Sequence, residues 1–406
     1  MSTPPLFPPA ISRRRYVLLG FSVVALAIGL YLSAAPFQSR GVPIDYYEFW
    51  AAGYLVTHGE NPYDPARMLE IQNAAGMSND VPVMMWHPPW TLLVVLPFGL
   101  LSLSTGCLIW TYIQMGSVFG AVDLTWRALG GTPDRRWIAW GLAIAFSPTI
   151  FAIATGQVTG MCLLGVAGFM AATRANRPML AGAAAALTAI KPHLLALFGL
   201  ALVLDTVRTS AARKVILTGA AVLGAALLVV IAFDPAILSQ YSAAVTDRDG
   251  TNPYKVTDIL SPTAGSYLRA NLAPGSFAVA LVPLMVGSCV VVGAWWARRK
   301  TWDSARAAPW LAGGSFLAAP YGAWIYDLVL MLPVILAAAV PLFARGARPR
   351  ARLLAAAWYV GVSAGIIALT SRTTTHDQIV MWWVAPTVFV GSALTLWANR
   401  PARAVA

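Results

Sequence analysis

The sequence predicts an all-α integral membrane protein, a polytopic helical bundle, on three observations. Its 406 residues are 58% hydrophobic and only 11% charged, against about 25% charged in soluble domains, and the mean hydropathy is +0.67. Apolar runs such as Tyr16–Ala34, Val215–Phe233, Phe277–Ala297 and Leu353–Thr370 each supply roughly the 20 residues that a bilayer core demands. Basic residues recur in short loops at alternate ends of these runs. In lipid the runs must be helical, because nothing else satisfies their backbone groups.

The net charge of +12 would admit a nucleic-acid partner, but its distribution argues against one. Most of the 28 Lys and Arg fall in clusters: Arg13 to Arg15, Arg127 to Arg136, Arg174 and Arg177, Arg208 to Lys214, Arg298 to Arg306, Arg345 to Arg352, and Arg400 with Arg403. The positive-inside rule makes these loops cytoplasmic, where an anionic leaflet matches the surplus. Cys107, Cys162 and Cys289 lie far apart in apolar runs, without metal or disulfide spacing.

These anchors thread the chain with both termini cytoplasmic and about 12 transmembrane helices. A tail (1–15) precedes helix 1, which also resembles a signal peptide but is long enough to be a retained span. A first long outer loop covers 36–87 and helices 1 to 7 occupy 16–233. A second outer loop covers 234–276, helices 8 to 12 fill 277–398, and a short tail (399–406) ends the chain. Pro88–Trp126 must cross inward once. Pro97 and Gly99 interrupt it, so 89–102 reads as an interfacial or re-entrant piece before helix 2. Helix 3 is expected over 137–154, helix 4 over 158–172, and helices 5 (179–190) and 6 (194–205) are short, as if ending at a cavity or kinked. All the acidic residues except Asp123, Asp134, Asp205 and Asp303 then fall outside, as do His58, His87, His193 and His376. The working face is expected to be extracytoplasmic.

Candidate chemistry gathers in the outer segments. The first loop reads D-Y-Y-E-F-W from Asp45, G-E-N-P-Y-D-P from Gly59 and W-H-P-P-W from Trp86. Partial desolvation beside Tyr46, Tyr47 and Trp50 would raise the Asp45 pKa and make it a usable base; a solvated carboxylate in an interfacial aromatic belt is the competing reading. Asn61 to Pro65 reads as a plain turn. Short turns carry Gly156-Gln157 and Lys191-Pro192-His193. A lysine away from the cytoplasmic leaflet either snorkels to lipid phosphate or binds an anionic substrate group, and Arg269 poses the same choice. Asp327, in A-P-Y-G-A-W-I-Y-D, either caps the helix that follows or serves the site. His376-Asp377 reads as an ordinary polar turn. No nucleotide loop, zinc motif or serine-nucleophile motif stands in context, so neither a cofactor nor a metal is expected.

Taken in order, D-Y-Y, G-x-N-P-Y-D-P, the P-P at Pro88, G-Q at Gly156, K-P at Lys191 and P-Y-x-x-W-x-Y-D into Asp327 resemble glycosyltransferase family 87. The resemblance covers nearly the whole chain and implies a GT-C-type bundle in a bacterial plasma membrane. It implies transfer of a sugar, most often mannose, with inversion, from a polyprenyl-phosphate donor to a glycolipid or glycan hydroxyl. By that resemblance Asp45 is the base. Lys191, Arg269 and His193 hold the donor phosphate, and Tyr46, Tyr47, His87, Gln157, Trp324, Tyr326 and Asp327 line the substrate pocket. Many relatives carry histidine near Trp324–Asp327, where this chain has Tyr326-Asp327. A transporter or lipid flippase is the alternative, and a non-catalytic envelope scaffold the third.

Overall fold

The computed structural model describes residues 38–39, 42–246, 260–344, 347–370 and 378–400. Helix 1, the N-terminal tail, residues 401–406 of the C-terminal tail and His376-Asp377 lie outside the described residues. The chain enters the described structure through a two-residue antiparallel pair, β1 (Gln38–Ser39) and β2 (Val42–Pro43). Among the described residues every later secondary-structure element is a helix.

Helix α1 (Tyr46–Thr57) begins one residue past Asp45, and α2 (Pro65–Ala74) follows with Asp64 as a true cap, its carboxylate accepting from Ala66 N at 2.8 Å and Arg67 N at 3.2 Å. The interrupted stretch after Pro88 forms a 3-10 turn (Pro89–Thr91), the 8-residue α3 (Leu92–Gly99) and the 26-residue α4 (Leu103–Ala128). At about 1.5 Å per residue, α3 is too short to cross a core of about 30 Å and α4 is long enough. The backbones of α1 and α3 cross at Gly53 and Gly99, where a Cβ on Gly99 would meet the α1 backbone within 2.1–2.4 Å. No other residue pair permits that approach, so two glycines dock the short helix against the one that starts at Asp45.

The single helix expected over 137–154 is two: α5 (Arg136–Ala145) and α6 (Ser147–Ala154), bent by 71° between them. Pro148 explains the break, since it has no N–H to donate back and its ring clashes with the preceding turn. Next come α7 (Thr159–Arg174), α8 (Pro178–Ala186) and α9 (Ala196–Asp205). Helix α8 ends in the 3-10 turn Leu187–Ile190 and α9 is preceded by the 3-10 turn Pro192–Leu195, and the two turns meet at Lys191. The chain continues through α10 (Ser210–Phe233), α11 (Ile237–Thr246), α12 (Ala264–Leu272), α13 (Phe277–Ala280), α14 (Val282–Arg298) and α15 (Ser304–Ala318). A 3-10 segment (Ile325–Met331) leads into α16 (Leu332–Leu342), and α17 (Pro349–Thr370) and α18 (Val384–Ala398) finish it.

Among the described residues six helices are long and apolar enough to cross a membrane, or seven if the bent pair is one span. Their burial sorts them. The Ile325–Leu342 helix is 83% buried, enclosed by α6, α7 and α15, whereas Pro349–Thr370 and Phe277–Arg298 are each 11% buried. Leu353, Val360, Val286 and Val290 stand more than half exposed. Apolar faces of that extent are rare on soluble monomers and face lipid in a polytopic membrane protein.

Candidate active site

Five residues from four distant stretches of sequence, Asp45, Gln157, Lys191 and Tyr326-Asp327, meet at the start of the enclosed helix. Asp45 precedes α1, its backbone N–H donating to Thr155 O at 3.0 Å. Its carboxylate does not cap the helix; instead Oδ2 accepts from Gln157 Nε2 at 2.9 Å. Gln157 follows Gly156, whose φ of +79° suits glycine, and a Cβ there would stand 3.1 Å from both Pro43 Cβ and Tyr46 Cβ. Trp110 Nε1 donates to Gly156 O at 2.6 Å. This tight turn aims the Gln157 amide at Asp45.

The other half of the amide fixes its orientation. Lys191 can only donate and an ionised Asp45 can only accept, so the Gln157 oxygen faces Lys191 Nζ at 3.0 Å and its nitrogen faces Asp45, also donating to Tyr326 Oη at 3.1 Å. Lys191 stands at the Pro192 break, in a φ,ψ region that favours no helix. Its ammonium pairs with Asp327 Oδ1 at 2.7 Å and lies 5.3 Å over the Tyr326 ring. Asp327, fully buried, also accepts from Thr159 Oγ1, and its Oδ2 accepts from Trp324 N at 3.0 Å. Capping and a place in the site therefore coincide. The two readings of Lys191 acquire a third partner that neither named, an internal counter-ion.

Burial is the main cause that pushes the Asp45 carboxyl up, to about 6; the Gln157 hydrogen bond and Lys191 oppose it, while Asp327 adds to it. One helical turn on, Glu48 is buried, and desolvation, then Asp45, holds its carboxyl well above the usual range. His87 is buried too, and burial, then Lys191, keeps its imidazole neutral to unusually low pH. Glu48 Oε1 and His87 Nδ1 approach to 3.8 Å, too far for a hydrogen bond, and neither has a partner among the described residues.

Sequence reasoning missed Glu48 and Thr159. Both stood beside named residues, Glu48 at i+3 from Asp45 on one helical face and Thr159 two residues past Gln157. The Asn61–Pro65 turn does more than turn: Tyr63 Oη donates to His87 O at 3.1 Å, tying the first loop to W-H-P-P-W. Tyr46 and Tyr47 are buried; Tyr46 packs on Trp110 and Phe98 and its Oη has no partner among the described residues. Trp324 stacks on Tyr326 at 6.1 Å.

His193 and Arg269 occupy a neighbouring region. His193 stacks on Tyr321 at 4.8 Å with Nε2 3.2 Å from Gly322 O. Tyr321 meets Phe277 at 5.9 Å, and the Arg269 guanidinium sits 5.9 Å over that Phe277 ring while Nε donates to Pro274 O at 3.2 Å. An aromatic run thus links Arg269 to His193. Among the described residues no group of three or more His, Cys, Asp or Glu could hold a metal ion.

Such a constellation at one end of a lipid-facing bundle can be compared with known proteins. The family model for glycosyltransferase family 87 matches residues 86–320, more than half of the chain. The chain belongs to glycosyltransferase family 87. A curated relative, the polyprenol-phosphate-mannose-dependent alpha-(1-2)-phosphatidylinositol pentamannoside mannosyltransferase of Mycobacterium tuberculosis (strain CDC 1551 / Oshkosh), is 25% identical over 162 residues, 39% of this chain. The aligned part spans 35% of that relative's length. No solved structure matches. The family-87 match includes His87, Gln157, Lys191, His193 and Arg269 but neither Asp45 nor Asp327. The fold joins those two to it, through the Gln157 amide and the Lys191 ammonium.

Proposed function

We propose that this family-87 membrane glycosyltransferase moves a sugar, mannose foremost, from a polyprenyl-phosphate donor to a glycolipid or glycan hydroxyl on the extracytoplasmic face of a bacterial plasma membrane. One observation carries the reading: the Asp45 carboxylate, pushed up to about 6, ends a buried hydrogen-bonded chain that runs through Gln157 to the Lys191–Asp327 pair. Such a carboxylate is ionised at neutral pH yet basic enough to accept a hydroxyl proton in the transition state. The donor class rests on the relative's description as polyprenol-phosphate-mannose-dependent.

In the step proposed, the acceptor oxygen bonds to the anomeric carbon from the face opposite the phosphate, and its proton passes to Asp45. The bond from that carbon to the phosphate oxygen breaks with its electron pair, inverting the centre and releasing polyprenyl phosphate with one further negative charge. Two of the three Lys191 N–H groups are committed to Gln157 and Asp327. The third, with Arg269 across the aromatic run, would meet the departing charge, where preorganised cations contribute most. His193, whose imidazole burial holds neutral down to about 4, would line the phosphate site without adding charge. Tyr46, Tyr47, His87, Trp324 and Tyr326 would wall the sugar pocket.

The test is transfer by the purified protein in nanodiscs, with polyprenyl-phosphate mannose and a panel of glycolipid acceptors. Asp45→Asn should lower the rate by about 10²–10⁴-fold, the usual worth of a general base. Undiminished transfer in that variant would remove Asp45 from the mechanism.

A further inference from the structure

A cavity of about 520 Å³ opens at the opposite, basic end of the bundle, where α7, α8, α9, α10 and α15 meet. Its rim carries Arg174, Arg177 and Arg208 against Asp205 and Asp303, a surplus of positive charge, and Phe169 and Leu202 give it an apolar wall. The three arginines are not equally engaged. Arg208 is spent: Nε donates to Asp205 Oδ1 at 2.8 Å, and its two terminal nitrogens donate to Arg299 O at 2.8 Å and Trp302 O at 3.0 Å. Arg174 gives Nη1 to Asp303 Oδ2 at 2.8 Å and keeps its other donors. Arg177 makes no ion pair or side-chain hydrogen bond among the described residues, and it is exposed.

Two further donors are idle. Thr173 Oγ1 and Trp302 Nε1 belong to residues that line the cavity, and neither has a hydrogen-bond partner among the described residues. Three helices also begin there. Thr209 caps α10 and Asp303 caps α15 through their side chains, but α8 starts at Pro178 behind Arg177 with no side-chain cap. An uncapped helix start beside arginine forks is the arrangement that phosphate oxygens satisfy. Phe169 and Leu202 are already covered, at 2% and 8% exposed, so the choice of a lipid rests on place. The cavity opens at the basic end of a bundle whose outer helices expose apolar faces, where phosphates arrive attached to acyl chains.

We propose that this cavity binds the phosphate headgroup of an anionic lipid, with Arg177 as the principal cation, Arg174 supporting it and Thr173 donating. This is the end that the positive-inside rule assigns to the leaflet rich in anionic lipid. It is separate from the transfer site and independent of the identity of the sugar.

The experiment is native mass spectrometry and thermal unfolding of the full chain in phosphatidylcholine nanodiscs, with and without phosphatidylglycerol. A retained phosphatidylglycerol adduct and a higher Tm are expected. Arg177→Gln should weaken retention at least about tenfold, as loss of a charge-assisted hydrogen bond does, and Thr173→Val should weaken it less. Arg213→Gln, an exposed cation outside the cavity, should leave it unchanged. Retention unaltered in Arg177→Gln, or lost equally in Arg213→Gln, would overturn the site. An Arg177-dependent Tm rise with inorganic phosphate or glycerol 3-phosphate, but none with phosphatidylglycerol, would assign the cavity to a free phosphate and overturn the lipid.

Discussion

The two ends of the bundle handle charge in opposite ways. At the basic end acids and arginines pair mostly within one helical turn: Arg127 with Asp123 at 2.8 Å and Arg208 with Asp205 at 2.8 Å. At the other end Arg67 also pairs locally, with Glu60 and Glu70, but the partners of the buried network come from separate elements, with Lys191 and Asp327 136 residues apart and Gln157 and Asp45 112 apart. The first kind forms wherever sequence neighbours permit and stabilises little. The second requires the whole fold, and its desolvation cost is one that an apolar core would avoid. Charges kept buried at that cost, with Glu48 and His87 left incompletely paired, are what make this end the candidate for chemistry.

The widest gap between the ends should appear on removing Lys191. Lys191→Met leaves Asp327 charged, fully buried and short of its cation, which should cost about 3–5 kcal/mol. Adding Asp327→Asn should restore most of it, because the amide oxygen still accepts from Trp324 N and no charge remains. Unfolding in detergent checks both. If the double variant is no more stable than the single, the pair is not what holds the site.

Next is the turn that aims the amide. Gly156→Ala places a Cβ in a left-handed conformation, a cost of about 1–2 kcal/mol, and against Pro43 and Tyr46 at 3.1 Å. Transfer should fall further than stability, since a shift of Gln157 releases Asp45. Equal losses would mean that the turn is structural only.

The pH profile gives a third handle, and its sign separates folding from catalysis. Asp45 has its carboxyl raised from 3.8 to about 6 in the fold, so the folded state holds the proton more tightly than the unfolded one. Its ionisation therefore opposes folding, and stability from this group declines as pH rises from about 4 to about 6. Catalysis runs the other way, because only the carboxylate is a base. Transfer should plateau above pH 6 and drop about tenfold per unit below it. A rate still flat at pH 5 would show Asp45 to be an ordinary carboxylate.

How much of this was legible beforehand follows the same division. Helices show in hydropathy because lipid leaves the backbone no other choice, and Pro97 and Pro192 announce interruptions through a missing donor, whereas Pro148 was read as lying inside one helix. The stretch expected to be interfacial or re-entrant holds the short helix α3, and the expected helix 3 broke at Pro148. Asp45, Gln157, Lys191, Tyr326 and Asp327 were each nameable from loop position. Their mutual bonds were not, because nothing local to Lys191 says that its counter-ion lies at Asp327. Glu48 escaped notice because its burial depends on α3 and on His87, which a single strand of sequence does not bring together. Nor did the sequence show that Arg269 stands over Phe277, which in turn meets Tyr321.

The smallest effect belongs to the basic end. Arg174 and Asp303 pair at 2.8 Å although 129 residues apart, and so form the closest analogue there of the Lys191–Asp327 bridge. Their side chains are 43% and 39% exposed, against 5% and 0% for Lys191 and Asp327. Water solvates each partner when the other is lost, so Arg174→Gln should cost about 0–1 kcal/mol and fade further in salt. Unfolding of this variant beside Lys191→Met, in the same detergent at low and high salt, compares two long-range pairs that differ in burial. A loss from Arg174→Gln as large as that from Lys191→Met would mean that sequence separation, and not burial, sets the worth of a charge pair in this protein.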